Sequence, residues 1–172
     1  MEDFTEQEDF DGVLDLTGAD ESAGTFEAFA AGNYNAMVAK AEWRRTKPEG
    51  GASLPGNTPF LNIHYAIQDE MDREDMRIQN RRVFQKIYIA PDGHAKLAYH
   101  RGTMLNTLLA LGYTREDISK KGFRVDTDEL VGKECTVTVS KNWNKHTEQW
   151  DNDVKGVKTA GAAVSSVAGG LV

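Results

Sequence analysis

Four residues at alternate positions, Arg82, Phe84, Lys86 and Tyr88, place two cations and two aromatic rings inside the run Asn80–Ile89. In an extended strand successive side chains point to opposite faces. These four therefore share one face, while Val83, Ile87 and Ile89 share the other. Such a face suits a single-stranded nucleic acid, whose bases stack on rings and whose phosphates seek cations. It would equally describe an amphipathic strand whose rings fill a second core, so the neighbouring elements have to decide.

Two further groups repeat the same chemistry. Trp43, Arg44, Arg45 and Lys47 lead into a loop rich in Pro and Gly, from Lys47 to Asn57. Lys141, Trp143, Lys145 and Trp150 surround a second loop, so all three tryptophans of the chain flank these two connections. The alternative for Trp43 and Trp143 is a role as plugs at the ends of a barrel. Catalytic signals are weaker. The four histidines, His64, His94, His100 and His146, fall on separate predicted elements without metal-ligand spacing, and His94 and His100 are in no helical register for one ion. Phosphate-loop, dinucleotide and nucleophile-elbow motifs are absent. Asp69, Glu70, Asp72, Glu74 and Asp75 interleave with Arg73 and Arg77, which reads more simply as a self-paired, solvated segment than as a two-metal nuclease site.

The elements that would carry these groups are mostly strands. Asn33–Arg45, Pro59–Ile67, Asn80–Ile89, Lys133–Trp143 and Glu148–Thr159 are β-compatible. Leu61, Ile63, Tyr65 and Ile67 lie on one side of the second, and Cys135, Val137 and Val139 point inward from the fourth. Pro91-Asp92-Gly93 stops the third strand with turn chemistry. From Ala95 to Leu111 the period changes: Leu97, Met104, Leu105, Leu108 and Leu109 recur at three- and four-residue intervals, and Gly112 supplies a helix stop. Thr114 can cap a short following turn of helix. Three strands, a helix and two strands is the order of an OB-fold, a five-stranded, partly open Greek-key barrel, so the fold expected is mainly β with one helix between strands three and four. In that architecture ligands cross strands two and three, beneath the loops that follow Trp43 and Lys141.

Charge is divided along the 172 residues. Residues 1–39 hold 10 acidic side chains and no Lys or Arg, whereas residues 40–172 hold 17 acidic and 20 basic ones, so an acidic leader precedes a mildly basic body. The expected organisation is an acidic flexible leader over 1–23, a binding domain over 24–159 and a small-residue tail over 160–172. With no apolar run near 18 residues and no basic-then-apolar start, neither a membrane span nor a secretory signal is expected. The single cysteine, Cys135, has no partner for an internal disulfide and suits a buried thiol in a reducing cytoplasm.

Several short motifs resemble a family of phage-encoded proteins from replication and recombination modules. Ala31–Val38 is similar to that family's G-x-Y-x-A-x-V opening, Pro59–Ile63 to its second strand and Asn80–Phe84 to its basic-aromatic third. Leu130–Lys133 is similar to its entry into strand four, and Asp153–Lys155 to its closing strand, so the resemblance spans roughly residues 26–158. It implies an OB-fold single-stranded-DNA-binding protein acting in the host cytoplasm, without catalysis or cofactor. Bacterial single-strand binders typically end in an acidic tip; here no carboxylate side chain follows Asp153, and the acid sits at the N-terminus instead. The expected partners are single-stranded DNA and, through the acidic leader, phage or host replication and recombination proteins; a homo-oligomer is left open and no membrane is involved. The competing reading is a protein-interaction or DNA-mimic adaptor that acts through the leader, with the barrel as scaffold.

Overall fold

Leu61, Ile63, Tyr65 and Ile67 recur at every second position and are fully shielded from solvent, which makes Pro59–Ile67 a strand (β2) with one face in the core. The computed structural model describes residues 12–17, 27–51 and 53–161. Five strands form one antiparallel sheet: β1 (Gly32–Arg45), β2, β3 (Arg82–Tyr88), β4 (Glu134–Asn144) and β5 (Gln149–Thr159), in the spatial order β3-β2-β1-β4-β5. Between β3 and β4 lie three helices, α1 (Leu97–Ala110), α2 (Arg115–Ser119) and α3 (Thr127–Leu130). The chain is mainly β and its sheet is open, because no ladder joins the outer strands β3 and β5. Of the expected tails, only 12–17 and 160–161 are described; the former is exposed, and the rest lies outside the described residues.

β1 is the shared strand. Its first part, Gly32–Met37, pairs with β4, and Ala36–Arg45 pairs with β2. A bulge between Val38 and Lys40 inserts one residue, and a bulge reverses the side-chain alternation downstream of it. Tyr34, Ala36 and Val38 therefore point to the core before the bulge, and Ala41 and Trp43 face that side after it, opposite Ile63 and Leu61. Arg44, Glu42 and Lys40 are turned to the outer face, opposite Phe60, Asn62 and His64.

The core gathers these inward residues with Val83 and Ile87 of β3, Cys135, Val137 and Val139 of β4, and Ile78, Leu111 and Leu130 from the connections. Cys135 is buried there, and burial pushes its thiol up to about 12, so it stays protonated and unreactive at neutral pH. One polar chain crosses this interior. The Tyr65 hydroxyl donates to Gln85 Oε1 at 2.7 Å, and Gln85 Nε2 donates to Thr107 Oγ1 at 3.1 Å, fixing α1 against β3.

α1 falls inside the expected span, and its Gly112 stop adopts a φ of 103°. The Thr114 cap is present as a full capping box with Asp117. The apolar stripe is divided between the core and a cavity. Only Thr107, Leu108 and Ala110 of α1 are buried, while Leu97, Met104 and Leu105 line an open cavity.

Two members of the acidic cluster are structural rather than self-paired. Asp72 is buried and accepts hydrogen bonds from the Ala30, Glu74 and Met76 backbone N–H groups at 2.8–2.9 Å. Burial opposes its charge, but these three donors hold its carboxyl below the usual carboxylate range. Asp69 accepts from both the backbone and side-chain nitrogens of Asn35. The segment entering β1 is tied down at its other side by Asn152, whose amide exchanges two hydrogen bonds of 2.9 Å with the Phe29 backbone.

Candidate nucleic-acid interface

β3 alternates as its sequence requires: Arg82, Phe84 and Lys86 are exposed, Tyr88 is half-buried, and Val83, Gln85 and Ile87 are buried. Ile89 departs from the pattern. The strand ends at Tyr88, and Ile89, expected on the core face, is 45% exposed.

Antiparallel pairing brings outer-face residues of β1, β2 and β3 into rows. Arg44 lies beside Phe60 and Phe60 beside Tyr88; Glu42 beside Asn62 and Asn62 beside Lys86; Lys40 beside His64 and His64 beside Phe84. Arg82 extends the array opposite Ala66. The rings pair across the strands, Phe60 with Tyr88 at 5.2 Å between centroids and His64 with Phe84 at 4.7 Å, edge to face. Lys86 Nζ sits 5.7 Å above the Phe60 ring, a cation–π contact. The band continues onto α1, where His100 meets Tyr88 at 5.8 Å and Tyr99 at 5.4 Å.

Four outer-face cations, Lys40, Arg44, Arg82 and Lys86, thus surround two ring pairs; Glu42 stands among them, and Asp153 of β5 lines a cleft together with Phe84, Lys86 and Tyr88. Glu42 pairs with Lys40 at 3.6 Å and Arg44 at 3.8 Å. Both pairs are exposed and therefore weak. Burial, followed by the charges of Lys40 and Arg82, lowers the pKa of His64 from its ordinary value, so the ring is neutral at pH 7. Asn62 is buried between the ring pairs. Its Nδ2 is 3.1 Å from His64 Nε2, and its Oδ1 has no hydrogen-bond partner among the described residues.

The loop after β1 forms one wall of a groove of about 390 Å³, lined by Arg44, Arg45, Lys47, Phe60, Lys86 and Tyr88 among others. The loop keeps its shape through backbone contact. A Cβ on Gly56 would fall 1.9 Å from the Pro48 carbonyl oxygen, so only glycine fits. Arg45 is partly committed to the same loop, donating to the Asn57 carbonyl at 2.8 Å. On the far side, His94 Nε2 lies 2.7 Å from the Ser53 carbonyl oxygen and ties the loop to the entry of α1.

Of the residues singled out from sequence, the outer face and its loop unite Arg44, Arg45, Lys47, Arg82, Phe84, Lys86 and Tyr88. Trp43 is not among them, because the β1 bulge turns it to the opposite side. Lys141, Trp143, Lys145 and Trp150 occupy the β4–β5 hairpin. There Trp143 and Trp150 are register partners whose rings meet edge to face at 5.5 Å, with Lys141 Nζ 5.7 Å from the Trp150 ring. Neither Trp43 nor Trp143 is a buried plug; they are 45% and 49% exposed. Phe60, His64, Lys40 and Asn62 were missed, although the inward assignment of Leu61, Ile63 and Tyr65 already implied that Phe60, Asn62 and His64 point outward. His94 and His100 come closer than their spacing suggested, with centroids 6.0 Å apart, yet among the described residues no group of three His, Cys, Asp or Glu could hold a metal ion.

A family model described as a protein of unknown function (DUF669) matches residues 16–167, nearly the whole chain. The chain belongs to this family. No curated protein matches it. As a DUF669 member it carries all five strands and all three helices within the matched span, so the outer face and its loop are part of the family region.

Proposed function

We propose that the chain binds single-stranded DNA without sequence specificity, on an OB-fold whose β1–β2–β3 outer face is the binding surface. The arrangement that carries this reading is the row of rings Tyr88, His64 and Phe84, with Tyr88 backed by the buried Phe60, set among Lys40, Arg44, Arg82 and Lys86. Rings of this kind stack with any base, and the cations track the phosphates, so neither demands a sequence. The strand order, with β1 shared between β2 and β4 and helices between β3 and β4, supports the OB-fold assignment; β5 approaches β3, and closure would require the two to pair through backbone hydrogen bonds. The resemblance to phage replication and recombination proteins supports a role in the host cytoplasm, protecting single strands and removing their secondary structure without catalysis.

The test is titration with a dT oligonucleotide at several salt concentrations. Each neutralised phosphate of a single strand contributes about −0.7 to the slope of log affinity against log salt, so a handful of contacts gives a slope of roughly −2 to −4. Duplex DNA should compete poorly, since its bases are already stacked. A flat salt response, or equal binding of duplex, would refute the proposal.

A further inference from the structure

We infer that the cavity bounded by Trp43 and α1 is a second station on the DNA path, taking one unstacked base with its phosphate at the mouth. This rests on the single-stranded-DNA reading of the outer face. The cavity measures about 580 Å³, within the range of roughly 300–1,000 Å³ typical of small-molecule sites. Its walls are the half-exposed Trp43 indole, the Leu97, Met104 and Leu105 side chains of α1, and Phe123. Arg101 and Arg124 also line it, and among the described residues no carboxylate does. An aromatic plane with arginines and no acid matches a base joined to a phosphate. Among the described residues Arg101 makes an exposed pair with Asp92 at 3.4 Å, a contact that a phosphate can replace.

The cavity is continuous with the outer face. Tyr88 lines both this cavity and the groove beside the β1–β2 loop, and Trp43 also borders a shallow cleft with Arg44, Arg45 and Pro59. A strand stacked on Tyr88 therefore needs only to pass the end of β3 to deliver its next base to Trp43. The β1 bulge, which withdraws Trp43 from the outer face, is what gives this cavity its aromatic wall.

Replacing Trp143 and Trp150 by Phe leaves Trp43 as the sole tryptophan. This full-length variant is titrated with a dT oligonucleotide of about 16 residues, the upper end of the site size of one OB-fold, while binding is followed independently by anisotropy of a labelled strand. Trp43 emission should be quenched in step with binding. Trp43→Ala, and Leu105→Glu on the opposite wall, should each weaken binding roughly 5- to 150-fold with unchanged melting, the loss of one stacked base, and Trp43→Phe should retain most of the affinity. If the oligonucleotide binds while Trp43 emission stays constant, the inference is overturned, the outer-face reading stands, and the cavity becomes a groove for an apolar peptide. If no oligonucleotide binds at any salt concentration, both readings fall.

Discussion

The outer face of β1–β2–β3 and the β4–β5 hairpin both display aromatic rings, yet their rings have different neighbours. On the outer face, Phe60, Tyr88, His64 and Phe84 sit in rows separated by cations, and Glu42 is the one acid among the paired positions. On the hairpin the two rings are spent on each other, Trp143 against Trp150, and the residues around them are balanced: Lys141 and Lys145 against Glu148 and Asp151. Asp151 and Asp153 also accept hydrogen bonds from Asn144 and Asn142, which stiffens the hairpin. An aromatic ring becomes a nucleic-acid platform through the charges around it, and a cross-strand pair of rings without a charge excess is first a device for holding two strands in register.

The sharpest break of this comparison sets Phe84→Ala against Trp143→Ala. Removing the Phe84 ring, which is 48% exposed and carries little of the core, should cost about 1–3 kcal/mol of DNA binding and leave the melting temperature nearly unchanged. Removing Trp143 should instead cost about 0.5–1.5 kcal/mol of stability, the scale of an aromatic pair, with a smaller change in affinity. Equal losses of affinity in isothermal titration would erase the distinction between the two surfaces.

A second break leaves every ring in place. Gly56→Ala puts a methyl group where the Pro48 carbonyl stands and must push the β1–β2 loop out of shape. Affinity at low salt should fall, by less than for Phe84→Ala, because the loop supplies one wall and the Lys47 cation while the stacking rings remain. Parent-like binding would remove this loop from the site.

These surfaces were unequally legible in the sequence. β3 alternates without interruption, so the period of two gave both its faces, down to the exposure of Arg82, Phe84 and Lys86. In β2 it gave the inward Leu61, Ile63, Tyr65 and Ile67 but not the burial of Phe60 and Asn62 beside them. The Thr114 cap and Gly112 stop were readable for the same reason, since each is a local residue choice with a local cause. β1 defeats the same reasoning. Its bulge at Val38–Lys40 is set by pairing with β2, and no residue in the strand announces it, so Trp43 and Arg44 exchange faces relative to an unbroken alternation. The stripe on α1 was legible as a helix only, because apolar residues at helical spacing mark a face but not whether the core or a cavity receives it. Gln85 went unread because a polar residue on an inward position makes sense only once Tyr65 and Thr107 are seen on either side of it.

Glu42 offers a smaller and opposite effect. It holds Lys40 and Arg44 in exposed ion pairs on the outer face, so Glu42→Gln frees two cations and removes one repulsion toward phosphate. Affinity should rise by about 0.2–1 kcal/mol at low salt, the range for exposed pairs, and the gain should fade as salt screens it. A hairpin acid neutralised in the same way should change little, and a larger gain there than at Glu42 would reverse the ranking of the two regions.

The subtlest discriminator is pH. His64 is held below its ordinary value by burial and then by Lys40 and Arg82; His100, beside Tyr88, is held below it by burial and then by His94 and Lys96. Both are neutral in the free protein at pH 7, and a phosphate brought near either ring favours its protonated form. The complex therefore binds protons more readily than the free protein, and affinity should rise as pH falls below the ordinary value near 6.5. Stability should move the other way. A histidine whose folded pKa is depressed takes up its proton more readily in the unfolded chain, so this contribution is full above about 6.5 and is lost as pH falls through the folded value. Opposite pH trends for binding and for melting, over the same window, are hard to obtain unless the titrating rings face the ligand. His64→Gln should flatten the outer-face share of the binding trend and leave the His100 share. A binding profile that is already flat in the parent protein would show that phosphates do not approach these rings, and would move the DNA path off the His64–Phe84 row.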